Sequence, residues 1–144
     1  MSYLLDTNVL SELVKPVPAA SVVAWTGGQS PLDLSISVLT LGEIESRIAL
    51  MPHGARRTLL TNWARTELPR QFLGRLLPVD EEVGLAWGKL TAAGRAAGRR
   101  IPVIDGLLLA TALTYRLILV TRNVSDCADR GITVFDPWTG MLYK

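Results

Sequence analysis

Residues 101–113 read IPVIDGLLLATAL, and every side chain in this stretch except Asp105 and Thr111 is apolar, proline, glycine or alanine. The composition predicts a buried helix that starts at Pro102 and runs to Tyr115. An unpaired carboxylate in such surroundings costs free energy or takes up a proton, so an ordinary core helix excludes it. The position of Asp105 therefore indicates a function that compensates for its burial.

Short apolar strands and helices alternate along the rest of the chain. The pattern predicts strands at 3–5, 34–38, 117–121 and 132–135, a short strand or extended link at 75–80, and helices at 8–14, 19–25, 40–50, 55–67, 81–97 and 102–115. Thr7 and Asp80 are the N-cap candidates for two of these helices. The alternation favours an α/β fold, with a parallel sheet covered by helices on both faces.

The composition is that of one globular domain. The chain has 144 residues, of which 49% are hydrophobic, so we expect residues 1–144 to form a single domain. Cys127 is the only cysteine, which excludes an intramolecular disulfide and favours a reducing cytoplasm. No secretion-signal pattern opens the sequence. The apolar segment 101–120 contains Asp105 and Arg116, so we expect a helix and a buried strand there and no membrane span.

Four acidic residues fall where they can converge. Asp6 ends the first strand, Glu43 lies in the first turn of the helix after the second strand, and Asp126 lies in the loop after 117–121. Residues that follow parallel strands collect in one crevice, which Asp105 joins if its helix starts there. Such a cluster of like charges requires a cation, and carboxylate ligands suit Mg²⁺ or Mn²⁺.

Each acid also has a local structural explanation, and both interpretations stay open at this point. Asp6 is a possible helix cap, and Thr40 with Glu43 matches the capping box T-x-x-E. Asp105 can complement a helix N-terminus, and Asp126 can form an Asx turn.

The residues that are missing narrow the chemistry. The single histidine, His53, lies in a turn that suits a surface loop, and Cys127 is better explained as a small buried filler than as a nucleophile. No G-x-S-x-G, Walker A or G-x-G-x-x-G motif occurs. The remaining candidate is metal-assisted attack of water on a phosphoryl centre.

Five segments, in this order and spacing, resemble the PIN-domain ribonucleases, and specifically the VapC and FitB-type toxins of bacterial toxin–antitoxin pairs. They are LLDTNVLSEL (4–13), LTLGEIE (39–45), PVIDGLLLATAL (102–113), LVTRNVSD (119–126) and ITVFDPW (132–138). The resemblance covers nearly the whole chain. It implies a three-layer α/β/α domain with a central, mostly parallel sheet of four to five short strands. It also implies a Mg²⁺- or Mn²⁺-dependent endoribonuclease that cleaves RNA through metal-activated water.

The resemblance assigns roles to the four acids. Asp6 and Asp105 would be metal ligands, and Glu43 a ligand or a residue that positions water. Many members carry an aspartate directly after T-R, where this chain has Asn123. Asp126 would then supply the fourth acid, or the site would hold one metal ion instead of two.

Further residues follow from the same comparison. Thr7 and Thr121 would orient ligands or water, and Asn8 would hold Asp6. Arg95, Arg99 and Arg100 are candidates for contact with the RNA backbone, although a solvated helix end explains them equally well.

The resemblance also implies partners. The family forms homodimers and is inhibited by a cognate antitoxin in a higher assembly. The antitoxin carries the DNA-binding part, so operator DNA would be met only through it. Single-stranded or looped RNA is the expected substrate, because sequence-selective RNA recognition needs splayed bases.

Three alternatives stay open. A haloacid-dehalogenase-like phosphatase uses an aspartate after its first strand as nucleophile, but it usually needs a second aspartate where Asn8 stands. A PIN fold without activity would serve as a binding module. A DNA-directed nuclease would need an element that grips a duplex or flap, and the short chain offers none.

Overall fold

A six-stranded sheet runs through the protein, which a computed structural model describes over residues 1–144. The strands are β1 (Tyr3–Leu5), β2 (Leu34–Ser37), β3 (Leu76–Leu77), β4 (Ile118–Val120), β5 (Val134–Asp136) and β6 (Met141–Tyr143). Their spatial order is β3-β2-β1-β4-β5-β6, and all neighbouring pairs are parallel except β5 and β6. The order therefore reverses direction between β1 and β4, which makes that point the topological switch of the sheet.

Eight helices cover the two faces of the sheet. They are α1 (Thr7–Leu13), α2 (Ala20–Gly27), α3 (Val38–Ala49), α4 (Ala55–Asn62), α5 (Leu68–Gln71), α6 (Glu81–Ala96), α7 (Val103–Tyr115) and α8 (Val124–Cys127). A 3₁₀ turn, Pro31–Asp33, precedes β2, and a π-helical turn, Trp63–Glu67, joins α4 to α5. No helix combines the length and the hydrophobicity needed to cross a membrane.

Two hydrophobic clusters place the helices in separate layers. Leu5 and Val120 face the first cluster, which α1 to α5 complete, whereas Leu4 and Leu119 face the second, to which α7 contributes. Successive side chains of a strand point to opposite faces, so each central strand supplies both clusters. Layers on both sides of a mostly parallel sheet confirm the three-layer α/β/α fold class.

The helix α7 is buried along most of its length, as the sequence predicted. It begins after Pro102, and Leu108 and Leu109 are at most 1% exposed. Arg116, in the left-handed conformation with φ 56°, ends the helix and turns the chain directly into β4. This packing carries the N-terminal turn of α7, and Asp105 with it, to the edge of the sheet.

The expectation of four to five strands was wrong by one. The extra strand is β6, which pairs antiparallel with β5 after a turn at Gly140, where φ is 78°. Met141 and Leu142 are exposed, so β6 lacks the alternation of apolar and polar residues that identifies a strand in a sequence. β3 is confirmed as a strand, but it contains only two residues.

Two predicted helix starts were also wrong. Ser37 caps α3 by accepting a hydrogen bond from the backbone N–H of Leu39, so Thr40 and Glu43 lie inside the helix and form no capping box. Asp6, and not Thr7, is the N-cap of α1. The cap at Asp80 is confirmed, because its Oδ1 accepts from the N–H of Val83 at 3.0 Å.

Candidate active site

Asp6 and Thr121 begin the site at the switch point of the sheet. Both backbones extend the ladder one step beyond their strands: the Asp6 N–H donates to Val120 O at 2.9 Å, and the Thr121 N–H to Phe135 O at 3.0 Å. The two side chains therefore lie next to each other, and Thr121 Oγ1 donates to Asp6 Oδ2 at 2.7 Å. Ligands of open α/β sheets bind at this edge, so the topology itself marks the place.

Glu43 reaches the same edge from α3. Thr7, in the first turn of α1, donates from Oγ1 to Glu43 Oε1 at 2.6 Å and lies 3.3 Å from Thr40 Oγ1. Thr7 and Thr40 are fully buried, so this hydroxyl pair fixes the spacing of α1 and α3. The contribution of Thr40 to the site was not predicted, because the sequence around Thr40 matches a helix capping box.

Asn123 connects the remaining two acids. Its Nδ2 donates to Asp105 Oδ2 at 2.9 Å and to Asp126 Oδ2 at 3.1 Å. Its backbone N–H donates to Thr121 Oγ1 at 3.0 Å, which connects this half of the site to Asp6. The prediction that Asp126 lies in a loop was wrong, because Asp126 lies in the short helix α8.

Asn8 completes the network. Its Nδ2 donates to Thr121 Oγ1 at 3.1 Å and lies 3.4 Å from Asp6 Oδ2. The Thr121 hydroxyl thus accepts from Asn8 and from the Asn123 backbone and donates its own proton to Asp6. Asn8 and Thr121 therefore lie beside Asp6, and their roles in holding Asp6 and in orienting ligands or water stay predictions.

The four carboxylates share one electrostatic environment. Burial raises the pKa of Asp105 to about 6, and the negative charges of Asp6, Asp126 and Glu43 add to this effect. Burial also raises the pKa of Asp6, and the charge of Glu43 raises it further, whereas hydrogen bonds from Thr121 and Thr7 oppose the rise. Mutual repulsion of this kind is the condition that a bound cation relieves.

The donor set suits a hard cation that keeps part of its water shell better than a cation that is fully enclosed by protein ligands. All candidate donors are carboxylate or amide oxygens, the ligands that Mg²⁺ and Mn²⁺ prefer. However, no three His, Cys, Asp or Glu side chains have the spacing to hold one metal ion. The four-ligand set expected from the sequence is therefore not preformed. Mg²⁺ typically keeps several waters and uses one or two protein carboxylates, so it needs no preformed set of four.

The three arginines expected at the RNA backbone have different surroundings. Arg95 and Arg100 are exposed. Arg99 donates to Ser125 O at 2.8 Å and to Ala128 O at 2.7 Å, so its guanidinium anchors the chain around α8. These contacts give Arg99 a structural role, while its contact with the RNA backbone stays a prediction.

His53 and Cys127 have the structural roles that the sequence analysis favoured for them. His53 is exposed and takes no part in the network. Cys127 is fully buried, and burial, with the charges of Asp105, Asp6 and Asp126, raises its pKa to about 12. Its thiol stays protonated at neutral pH and is no nucleophile.

Arg47 is a site neighbour that the sequence interpretation missed. It is exposed on α3, and its charge lowers the pKa of Asp6, which places the guanidinium within electrostatic reach of the carboxylates. The available signal was its spacing of four residues from Glu43, which puts both side chains on one face of the helix.

Comparison with known proteins defines the class. The family model described as PIN domain matches residues 3–125, and the chain therefore belongs to the PIN-domain family. The fold, with acids at the carboxyl ends of its central strands, agrees with this assignment.

Individual relatives place the chain within that family, beside VapC and FitB proteins. It is 35% identical over 134 residues to the VapC ribonuclease Y4jK of Sinorhizobium fredii, covering 93% of this chain and 96% of that protein. It is 33% identical over 135 residues to toxin FitB of Neisseria gonorrhoeae, covering 94% and 97%. The crystal structure of FitAcB from Neisseria gonorrhoeae superimposes with a TM-score of 0.90 at 32% identity, covering 94% of this chain and 98% of that one.

Proposed function

We propose that this protein is the toxin of a toxin–antitoxin pair and cleaves RNA phosphodiester bonds with the help of Mg²⁺ or Mn²⁺. The observation that carries the proposal is the meeting of Asp6, Glu43, Asp105 and Asp126 at the switch point of the sheet, within one network of electrostatic interactions. The relatives named VapC ribonuclease and toxin FitB support the reaction class, since they match along almost the whole chain.

Three carboxylate oxygens are free for chemistry. Glu43 Oε2, Asp105 Oδ1 and Asp126 Oδ1 make no hydrogen bond within the protein, whereas their partner oxygens accept from Thr7 or Asn123. Asp6 and Asp105, with Glu43 and Asp126 beside them, would hold the ion. When bound, the ion lowers the pKa of a water molecule and stabilises charge on the phosphate.

The chain's own residues prepare this chemistry. Thr121 and Thr7 hold Asp6 and Glu43 in fixed orientations, and Asn123 keeps Asp105 and Asp126 together despite their like charges. Glu43 Oε2 is the atom that can accept a proton from the attacking water, because Oε1 is already occupied. The backbone phosphate of an RNA strand laid across this edge would present its phosphorus to that water.

The environment of Asp6 disfavours the phosphatase alternative. Its Oδ1 accepts from the Thr7 N–H at 2.6 Å, and its Oδ2 accepts from Thr121. Each oxygen keeps a lone pair that can coordinate an ion, but a carboxylate held by hydrogen bonds at both oxygens is a poor covalent nucleophile. Asn8, where that class has its second aspartate, donates to Thr121 and is not placed as an acid.

The proposal includes an antitoxin partner. Solved complexes of similar chains include FitAB bound to an IR36 DNA fragment, with a TM-score of 0.89 and 32% identity. We propose that this chain forms a homodimer, pairs with an antitoxin in a larger complex and meets operator DNA only through that antitoxin. As a toxin that cleaves RNA it would act in the cytoplasm, where that substrate is made.

The test is cleavage of a mixed pool of single-stranded and structured RNA by the purified protein in Mg²⁺, Mn²⁺ or EDTA. Wild type is expected to cut only with metal, and Asp6→Asn is expected to lose the activity. Asp129→Asn is the matched control: Asp129 is exposed and has φ 60°, a conformation that asparagine tolerates. A folded, antitoxin-free protein that cuts nothing would favour the inactive binding module, and cutting that EDTA or Asp6→Asn leaves intact would reject the proposed site.

A further inference from the structure

We infer that Arg47 and the cleft beside it form a binding subsite for one nucleotide of the RNA, with the phosphate held by Arg47 next to the bond that is cut. The inference rests on the proposed function and names a substrate contact that the carboxylates cannot supply. It is carried by the position of the cleft, by the free guanidinium and by the apolar part of the cleft lining.

The cleft is continuous with the carboxylate site. It has a volume of about 490 Å³ and is lined by α3 and by the start of α7, with Glu43 and Arg47 on one side and Ile104 on the other. Glu43 therefore belongs both to the carboxylate network and to the cleft wall, and Ile104 precedes Asp105 directly. A volume within roughly 300–1,000 Å³ is typical of small-ligand pockets.

Arg47 is available for an anion. Its only hydrogen bond runs from Nη1 to the neutral hydroxyl Ser11 Oγ, at 2.9 Å. It forms no salt bridge, although Glu43 stands four residues away on the same helix face, where an ion pair is usual. Glu43 is instead held by Thr7. The remaining guanidinium donors of Arg47 are free for the bidentate contact that arginine makes with phosphate.

An unpaired arginine at this position would offset the repulsion between the carboxylates and the RNA. The carboxylates repel the phosphates of an RNA strand, and a cation at the rim of the same cleft offsets that repulsion where the strand must enter. Two other arginines near the site, Arg99 and Arg130, donate to backbone carbonyls. Arg122 lies 5.2 Å above the ring of Trp138 and does not line this cleft.

The apolar part of the cleft lining suits an unstacked base. Val38, Leu39 and Ile104 provide apolar surface, and Gly42 leaves open space, since a Cβ added there would meet nothing within 4 Å. A base turned out of a single strand can rest on this surface while its phosphate contacts Arg47. A base within a duplex cannot, so the subsite favours single-stranded RNA.

The test compares Arg47→Gln with wild type in two assays. In steady-state cleavage, Arg47→Gln is expected to raise KM by about tenfold or more with little change in kcat, because the contact binds substrate without joining the chemistry. RNA binding is measured by fluorescence anisotropy on the cleavage-blocked Asp105→Asn background. There, the slope of log affinity against log salt concentration is expected to become shallower by about 0.7, the contribution of one phosphate contact on a single strand.

Matched variants separate charge from geometry. Arg47→Lys should keep the salt slope but lose part of the affinity, since lysine cannot make a bidentate contact. Ser11→Ala should keep the slope, because only the neutral anchor is removed. Arg70→Gln, an exposed arginine on α5, should change neither assay. Thermal unfolding of each variant excludes a loss of fold.

The outcomes distinguish the inference from the proposed function. If wild type cleaves RNA and Arg47→Gln matches it in KM and in salt slope, the subsite is wrong while the ribonuclease stands. If wild type neither cleaves nor binds RNA, the proposed function itself fails. A slope lost in Arg95→Gln or Arg100→Gln, with Arg47→Gln unchanged, would overturn the inference in favour of the end of α6.

Discussion

Thr121 and Asp6 lie 115 positions apart in the chain, yet the Thr121 hydroxyl donates to Asp6 Oδ2 at 2.7 Å. The contact exists because β1 and β4 are parallel neighbours in register, with Leu5 opposite Val120. The residue that follows each strand therefore projects into the same crevice. This hydrogen bond favours the charged form of a carboxylate whose burial opposes ionisation.

Thr121→Val should reduce RNA cleavage without preventing folding. The substitution removes the donor to Asp6 and the acceptor for Asn8 and for the Asn123 backbone, while the side chain keeps its shape. Residues that orient ligands typically contribute about 10–100-fold to activity or metal affinity. Cleavage rates at saturating Mg²⁺ test the change, and Thr121→Ser, which retains the hydroxyl, should restore most of the rate. Full activity in Thr121→Val would show that the network does not position Asp6.

Asn123→Asp should destabilise the metal-free protein and increase its response to metal. The new carboxylate loses the Nδ2 donor that connects Asp105 and Asp126 and adds a like charge beside both. Thermal unfolding at pH 8 should show a lower Tm in EDTA and a larger rise on adding Mg²⁺ than in wild type. Asn123→Ala loses the same donor without the charge, so it should lower the Tm in EDTA without gaining the larger metal response. An equal Mg²⁺ response in all three proteins would contradict a cation site at this network.

Asp105 should make the metal-free protein less stable as the pH rises. Its pKa is raised from 3.8 to about 6 in the folded state, so the folded protein binds its proton more tightly than the unfolded chain does. The stabilising contribution of the protonated carboxyl is complete below about pH 4 and is lost as the pH rises through about 6.

The variant Asp105→Asn removes this dependence. At pH 8 in EDTA it should unfold at a higher temperature than wild type, by roughly 1 kcal/mol after allowing for solvent screening, or about 2–4 °C. At pH 4.5 the difference should fall to roughly a third of its value at pH 8, because the folded protein is then mostly protonated at this position while the unfolded chain is still mostly ionised. Thermal unfolding of both proteins at both pH values is the measurement. An equal difference in Tm between variant and wild type at the two pH values would mean that ionised Asp105 does not destabilise the fold.

Gly94→Ala should destabilise the fold and weaken the site indirectly. A Cβ at Gly94 would lie 2.7 Å from the backbone oxygen of Arg99, whose side chain anchors the chain around α8. Overpacking of this kind costs about 1–3 kcal/mol. Gly88→Ala, in the same helix with open space around it, should instead stabilise by up to about 1 kcal/mol. Urea denaturation of both variants measures the contrast, and equal effects would show that the chain at Arg99 yields without cost.

Much of the fold could be predicted because its signals are local. The run from Pro102 to Tyr115 and the apolar strands Tyr3–Leu5 and Ile118–Val120 are long or buried enough to identify themselves. β6 could not be predicted, because its exposed residues carry no pattern and pairing with β5 alone defines it. The N-cap of α3 was predicted three residues too late, because Thr40 and Glu43 match the capping-box motif, whereas Ser37 is the residue that caps the helix.

The candidate site could be predicted in outline but not in its contacts. Asp6, Glu43, Asp105 and Asp126 stand at places that the strand–helix alternation marks, so their convergence followed from topology. The contacts of Asn123 with two carboxylates, and of Thr7 with Thr40, depend on side-chain geometry between distant segments. The structural contacts of Arg99 could not be predicted either, because its hydrogen-bond partners lie 26 and 29 residues away in the sequence.

Mn²⁺ binding to the RNA-free protein, followed by electron paramagnetic resonance of the free ion, tests the central claim most directly. Wild type should bind Mn²⁺ at neutral pH and release it to Mg²⁺, while Asp105→Asn should lose at least about tenfold in affinity and Asp129→Asn should bind like wild type. If wild type and Asp105→Asn bind Mn²⁺ equally, or if neither binds it, the carboxylates at the switch point do not form the cation site on which the proposed ribonuclease depends.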